Sequence, residues 1–313
     1  MVSRLTVPRD ALKITLVVPN FNSGRTIERA LQSIANQNYP NLELILADGG
    51  STDESILICN QQRERFAFII SEKDDGPADA LNKAFAHATG DLFGWLAADD
   101  ELVPGALHHW NELFQKHPDV DVITGGCLRI YEDGSKQVTE PRKDAADRVL
   151  FNNVMEQPST LWRAALHRKA GPLDASLRLA FDWDLWCRFR RAGGRFMTIP
   201  RVVSIYHFSA TNLTSTGGEK VVREMFQVVR NHGPCFGLVA YVYLFLFTVF
   251  DLRGCYDKPK SCSPGWRLLF HITRGLLSLV FTPRVVKGYS WSFASRQMRG
   301  LVWYRRSTKT PST

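Results

Sequence analysis

Three acidic positions, Asp48, Asp99 and Asp182, are the side chains of this chain best placed to do chemistry. Asp48 closes the apolar run LELILAD and Asp99 closes DLFGWLAAD, so each stands where a short buried strand ends. In an open parallel sheet, ligands bind in the crevice outside the carboxyl ends of the strands, which turns such carboxylates towards a ligand rather than the core. A carboxylate there can hold a hard divalent cation or take a proton. Acidic residues at those positions also cap helices and solvate turns, and that plainer role stays open for Asp48, for Asp99 with Asp100, and for Asp182.

The elements that must carry these groups follow from periodicity. KITLVVPN (13–20) predicts a strand, and Ile27, Ala30, Leu31 and Ile34 then fall at helical spacing, with Ser23 or Gly24 as the start signal. A strand over 42–48, a helix from Thr52 to Arg65, a strand FAFII and a helix from Ala78 to Ala88 come next. A strand over 91–98, a helix around Leu107, Trp110, Leu113 and Phe114, and a strand VDVIT at 120–124 complete the series. Strands alternating with helices of this length predict βαβ units and a doubly wound parallel sheet. Beyond it, Asp133-Gly134 between two short runs predicts a hairpin over 127–140, residues 141–158 a functional loop, and Asp182 to Arg191 a helix. RFMTIP and RVVSIYHF read as two further strands.

Composition excludes several classes. The six cysteines form no C-x-x-C pair and MVSRLTVPRDALKITL lacks the apolar run of a secretory signal, which predicts a reduced, cytoplasmic protein. Cys255 and Cys262 are spaced for a disulfide or half a metal site, with no matching cluster to complete one. Residues 251–313 carry twelve Lys or Arg against two Asp, a local charge of +10 in a chain of +8, so residues 1–250 are slightly acidic. The uncharged run FGLVAYVYLFLFTVF (236–250) is shorter than the ~20 residues needed to cross a bilayer upright. It reads as a core helix, a re-entrant or interfacial helix, or a short span; with WRLLFHITRGLLSLVF (266–281) and the basic, aromatic tail, the segment predicts association with an anionic membrane surface, an all-soluble helical extension being the alternative. Nothing resembles a nucleic-acid recognition module.

Three segments together resemble glycosyltransferase family 2 with its GT-A fold. They are VPNFNSGRTIERALQSIANQNYPNLELILADGGSTDES, EKDDGPADALNKAFAHATGDLFGWLAADDEL, and the pair QPSTLWR and FDWDLWCRF, spread over about residues 13–208. A dinucleotide-binding reading fails, because NFNSGRT stands where G-x-G-x-x-G is needed. The resemblance implies an α/β GT-A fold, a nucleotide-binding doubly wound, mostly parallel sheet with a C-terminal apolar and basic helical extension. The implied domains are 1–232, with a nucleotide half to about 125 and an acceptor half from 126, and a membrane-associating 233–313.

It also implies roles. Asp48 would meet the nucleotide base, with Pro19, Asn20 and Asn22 shaping the pocket and Asp74, Asp79, Asn82 and Lys83 brought towards the donor. A divalent cation, Mg²⁺ or Mn²⁺, would be held by Asp99, with Asp100 and His207 near it. Asp182 would be the base, with Asp184 as fallback, and Gln157 and Trp183 would meet the acceptor. On residue type alone Lys83 is a solvated surface lysine, His207 a structural histidine and Trp186 core packing. Three departures stand out: Ala97 in place of a leading Asp, Gly49 in place of a second Asp, and Phe181 in place of a Glu. The implied activity is inverting, metal-dependent transfer from a nucleotide-sugar, UDP favoured, to a lipid-linked saccharide at the cytoplasmic face of the cell membrane. Transfer to polyprenyl phosphate and an inactive sugar-nucleotide or membrane scaffold are the alternatives.

Overall fold

The computed structural model describes residues 11–209, 212–213, 218–241 and 263–286. Strands β1 (Ile14–Asn20) and β2 (Leu42–Asp48) are buried along almost their whole length, which is why they read as unbroken apolar runs. Between them, α1 (Ile27–Ala35) buries Ile27, Ala30, Leu31 and Ile34, the four positions its periodicity singles out. The Ser23 carbonyl accepts from the N–H groups of Thr26 and Ile27, both at 2.9 Å, and starts the helix. The helix expected over 52–65 is instead α2 (Ser55–Asn60) and a single 3₁₀ turn at Arg63–Arg65. Asp53 explains the late start, because its carboxylate accepts from the N–H groups of Ser55 and Gly24 and so belongs to a capping turn.

Then follow β3 (Phe68–Ser71), α3 (Pro77–Phe85), β4 (Leu92–Trp95), the two-residue β5 (Glu101–Leu102) and α4 (Ala106–Lys116). The remaining elements are β6 (Val122–Tyr131), β7 (Lys136–Thr139), α5 (Ala145–Arg148), β8 (Thr160–Arg163), α6 (Ala164–Ala170), α7 (Phe181–Arg191), β9 (Phe196–Phe208), α8 (Gly218–His232) and α9 (Pro264–Val286). The hairpin expected over 127–140 is present as β6 and β7, with Gly134 at φ 76° in its turn.

The strand order is β3-β2-β1-β4-β8-β6-β9-β5, with β7 on β6. β3, β2, β1 and β4 pair in parallel; β8 lies antiparallel between β4 and β6, and β5 antiparallel to β9. The sheet is therefore mixed, which corrects the mostly parallel sheet expected. The strand read at 120–124 runs in the same direction as β4, but β8 occupies the place beside it. Four residues, TLWR, carry too little periodicity to announce that insertion. The two strands expected at 195–208 are one strand, because exposed Pro200 continues it without needing an N–H partner.

The chain divides into two compact units. One comprises the described residues of Met1–Ile130, Lys136–Ala145 and Met155–His207; the other those of Tyr131–Ser135, Ala146–Val154 and Phe208–Thr313. The anticipated boundary after residue 232 falls inside the second. In that unit α9 exposes Leu268, Leu269, Ile272, Leu276, Leu279 and Val280 while burying Phe270. No described helix is long and apolar enough to cross a membrane. Of the run 236–250, residues 242–250 lie outside the described residues, as do Cys255, Cys262 and the tail from 287.

Glu43 ties β1, β2 and the turn before β4 together. Only 5% exposed, it accepts from Lys13 Nζ at 2.6 Å, Thr15 Oγ1 at 2.5 Å, and Thr89 N and Oγ1 at 2.7 and 2.6 Å. Burial alone would raise its pKa, but these donors outweigh burial and bring it down from 4.5 to about 2. A carboxyl depressed by folding stabilises the protein above its unfolded pKa, and that contribution disappears as the pH falls through the folded one. The wild type is expected to lose about 2–3 kcal/mol from this group between pH 4.5 and 2. Glu43→Gln should be less stable at pH 7 and lose less on acidification. Urea unfolding at pH 7 and pH 3 measures the difference, and parallel losses in both proteins refute the assignment.

Candidate active site

The carboxyl ends of β1, β2 and β3 form one row, since Asn20, Asp48 and Ser71 are register neighbours across the three strands. Asp48 is 2% exposed. Its Oδ1 accepts from Asn20 Nδ2 at 2.7 Å and Ser51 Oγ at 2.5 Å, and its Oδ2 from Ser71 Oγ at 2.6 Å and Ser51 N at 3.2 Å. These four donors fill the roughly four lone-pair positions of a carboxylate, so a ligand N–H reaches Asp48 only by displacing one of them. Asn20 Oδ1 is buried and accepts from none of the described residues. Asn22, at φ 50°, accepts from Thr52 N with its side chain and donates its own N–H to Ser51 Oγ, tying the loop after β1 to the loop after β2. Pro19 is half-buried beside Asn20. Phe21, between the two asparagines, is 64% exposed; the sequence reading overlooked this ring, although an aromatic between two turn-forming residues was its signal.

A shallow depression next to this row is lined by Ala47, Asp48, Ile70, Glu72, Asp74, Ala80 and Lys83. Lys83 Nζ lies 2.8 Å from Glu72 Oε1 and 3.2 Å from Asp79 Oδ2, and donates to the Lys73 carbonyl. The Glu72 hydrogen bond first, then Asp79, raises its pKa and keeps it charged. Asp79 also accepts from Asp75 N. Asn82 is placed differently from expectation. Its amide donates to the Leu173 carbonyl at 2.9 Å and accepts from Leu173 N at 2.8 Å, so both its polar atoms fasten the 171–177 segment to α3.

At the end of β4 the two neighbouring carboxylates have opposite fates. Asp100 is 1% exposed, accepts from His207 N at 3.3 Å, and is pushed well above the usual carboxylate range by burial first and by Asp99 second. Asp99 is half-buried. Arg29 of α1 braces the turn: its guanidinium donates to the Asp99 carbonyl at 3.0 Å and pairs with Glu101 at 2.9 Å. Glu101 also receives His207 Nε2 at 2.6 Å, so the ring nitrogen expected near the cation is taken by a carboxylate. Arg29 and Glu101 escaped the sequence reading, because pairs 70 and 106 residues apart leave no local spacing signal.

Among the described residues no three His, Cys, Asp or Glu side chains converge as a metal cluster. Mg²⁺ usually keeps several waters and binds through one or two carboxylates plus substrate phosphates, so the donor set at Asp99 fits a cation that arrives with a diphosphate.

The second acidic pair repeats the division. Asp184 is buried and bound to Arg188 Nε at 2.7 Å, while Arg188 also donates to the Ala170 and Gly171 carbonyls at the end of α6. It is a structural ion pair. Asp182 is half-buried in the first turn of α7, whose N-cap is Ala180 rather than Asp182. Trp183, expected to offer a face to a sugar, is 2% exposed and belongs to the core, which corrects that expectation. Trp186 is core as anticipated, stacked on Trp95 at 5.8 Å with planes 6° apart. Phe181 lies 6.0 Å from Trp95, which accounts for an aromatic where a Glu is usual. Gln157 donates to the Trp95 carbonyl at 2.7 Å, linking the turn before β8 to the end of β4.

A mixed sheet with carboxylates at the ends of its parallel strands is consistent with a GT-A-like α/β fold. Residues 15–163 match the family described as Glycosyl transferase family 2, and this stretch, just under half of the chain, belongs to that family. A glycosyltransferase of Rickettsia prowazekii is 25% identical over 187 residues, 57% of this chain and 58% of the relative. The PGL/p-HBAD biosynthesis glycosyltransferase of Mycobacterium tuberculosis is 31% identical over 178 residues, 54% of this chain and 66% of the relative. The chain thus matches somewhat over half the length of these curated relatives. Among solved structures, a Pyrobaculum calidifontis mannosyltransferase in complex with GDP-Man and Mn²⁺ aligns with TM-score 0.61 and 19% identity, over 96% of this chain and 89% of its own. S. aureus TarS 1–349 in complex with UDP-GlcNAc aligns with TM-score 0.61 and 16% identity, over 94% and 93%. These two likenesses are of fold.

Proposed function

We propose that the protein is an inverting glycosyltransferase that moves a sugar from a nucleotide-sugar, UDP-linked by preference, to a lipid-linked saccharide in cell-surface polysaccharide synthesis. The observation that carries this reading is the division within each acidic pair. Asp100 and Asp184 are buried, the latter in an ion pair, while Asp99 and Asp182 are half-buried at the end of β4 and the start of α7. Exposed Phe21 offers a face for a base, beside the Asn20–Asp48–Ser71 row. Bound Mg²⁺ or Mn²⁺ would neutralise the charge that builds on the leaving diphosphate, and Asp99 is the residue to hold it. Asp182 takes the proton of the acceptor hydroxyl. The family match and the relatives' GDP-Man and UDP-GlcNAc complexes support a nucleotide-sugar donor.

The full chain incubated with UDP- and GDP-sugars and Mn²⁺ should release nucleoside diphosphate slowly, and a bound donor should raise its melting temperature. Neither release nor a thermal shift with any donor refutes the enzyme reading and leaves a scaffold.

We place the protein at the cytoplasmic face of a membrane. The +10 charge of residues 251–313 and the exposed apolar side chains of α9 support an interfacial attachment. In flotation assays the full chain should rise with phosphatidylglycerol vesicles, not with phosphatidylcholine ones, and less so at high salt. No flotation with either at low salt overturns this placement.

A further inference from the structure

A row of polar side chains from α1 grips the turn that carries Asp99. Arg29, Ser33 and Gln37 recur every four residues along α1 and just past its end, which puts them on one face of the helix. Arg29 Nη2 donates to the Asp99 carbonyl at 3.0 Å, and its Nε pairs with Glu101 Oε1 at 2.9 Å. One turn on, Ser33 Oγ accepts from Leu102 N at 3.1 Å. A further turn on, Gln37 donates to the Val103 carbonyl at 3.0 Å and accepts from Leu107 N at 3.3 Å. Ser33 and Gln37 are buried, so their bonds fix the path of the chain after the turn. Arg29 is the member of the row that touches Asp99 itself. Its planar fork spans two residues of the turn, and a fork with donors in fixed geometry loses little freedom in doing so. From the other side His207 holds Glu101 through Nε2 at 2.6 Å and Asp100 through its backbone N at 3.3 Å.

This grip bears on a cation because Ala97 brings no carboxylate of its own. Asp99 must then be placed correctly without a partner carboxylate at position 97 to share the ion. We infer that Arg29 is the positioning residue of the cation site: from α1 it sets the backbone from which the Asp99 carboxylate meets a divalent cation on the donor diphosphate. The inference rests on the cation role given to Asp99 above. It adds the residue that ties α1, and with it the loop of Phe21 and Asn22, to that role.

Calorimetric titration of UDP and of GDP into the full chain, once in EDTA and once in saturating Mn²⁺, measures the gain in nucleotide affinity that the cation provides. The wild type should show a gain with at least one nucleotide, and Asp99→Asn should lose it. Arg29→Met keeps an apolar stem and a good helix former while removing the guanidinium from an exposed position. Partners that orient a metal ligand typically contribute about 10- to 100-fold in metal affinity, so Arg29→Met should cut the gain by about that factor. Affinity in EDTA should stay at the wild-type value. The sign separates positioning from charge: loss of a positive charge near the cation would by itself enlarge the gain and weaken binding of the bare nucleotide. Added to Asp99→Asn, Arg29→Met should remove nothing further. Thermal unfolding midpoints confirm that each variant is folded. No gain from Mn²⁺ in the wild type with either nucleotide overturns the cation reading, and this inference with it. A gain that persists in Asp99→Asn moves the cation to other residues and does the same. A gain unchanged or enlarged in Arg29→Met, with the wild type and Asp99→Asn behaving as expected, overturns this inference alone.

Discussion

Asp99→Asn is expected to reduce sugar transfer by about 10³-fold or more, because it keeps the shape of the side chain and removes the charge that holds a cation on the diphosphate. Asp100→Asn should cost far less activity. Asp100 is buried, and its carboxyl is already pushed towards the neutral form by burial and by Asp99, so an amide there changes little electrostatically. The turn should survive in both variants, since Arg29 holds the Asp99 carbonyl and pairs with Glu101, and neither contact uses a substituted group. Transfer rates measured across a Mn²⁺ titration decide the matter. An unchanged rate in Asp99→Asn at all Mn²⁺ concentrations, or a larger loss in Asp100→Asn, would sink the assignment of Asp99.

The parts of the fold legible in the sequence are those whose burial is simple. β1 and β2 are buried on both faces and α1 on one, so apolar runs and a four-residue stripe announced them within a residue or two. β8 was illegible as a strand of the central sheet, since its place between β4 and β6 depends on partners 36 to 71 residues away. The location of the site was legible for the same reason as β2: a carboxylate that ends a buried parallel strand has only the crevice to face. Which atoms each side chain would hold was not. Asn82 spends both polar atoms on Leu173, 91 residues on, and His207 gives its Nε2 to Glu101, 106 residues back. Spacing on one helix or strand carries no trace of such pairings.

Two departures from the family pattern acquire causes once the side chains have places. Gly49 makes room for the Asp74 carboxylate, and Phe181 packs near Trp95 in an aromatic group that includes Trp162 and Trp186. Each is a local exchange of one side chain for another, so neither argues by itself for a dead site. Ala97 is different: nothing in the structure explains it. It leaves Asp99 as the half-buried carboxylate of its turn, which concentrates the expected loss in that one substitution.

Asp182→Asn separates chemistry from binding. A positioned general base typically contributes ~10²–10⁴-fold, so transfer should fall by about that factor while donor affinity stays near the wild-type value. The substitution should leave the fold intact, because Ala180 rather than Asp182 occupies the N-cap and Asn is tolerated in a first turn. Asp184→Asn should behave in the opposite way: removing one partner of a buried ion pair leaves the Arg188 guanidinium short of its counter-charge, at a cost of about 3–5 kcal/mol in stability. Activity per folded molecule should remain. Single-turnover transfer, donor binding and urea unfolding on the same two variants distinguish the roles. A wild-type transfer rate in Asp182→Asn would return the base to Asp184 or to a residue outside α7. A collapse of donor binding in Asp182→Asn would place that carboxylate in the nucleotide site instead.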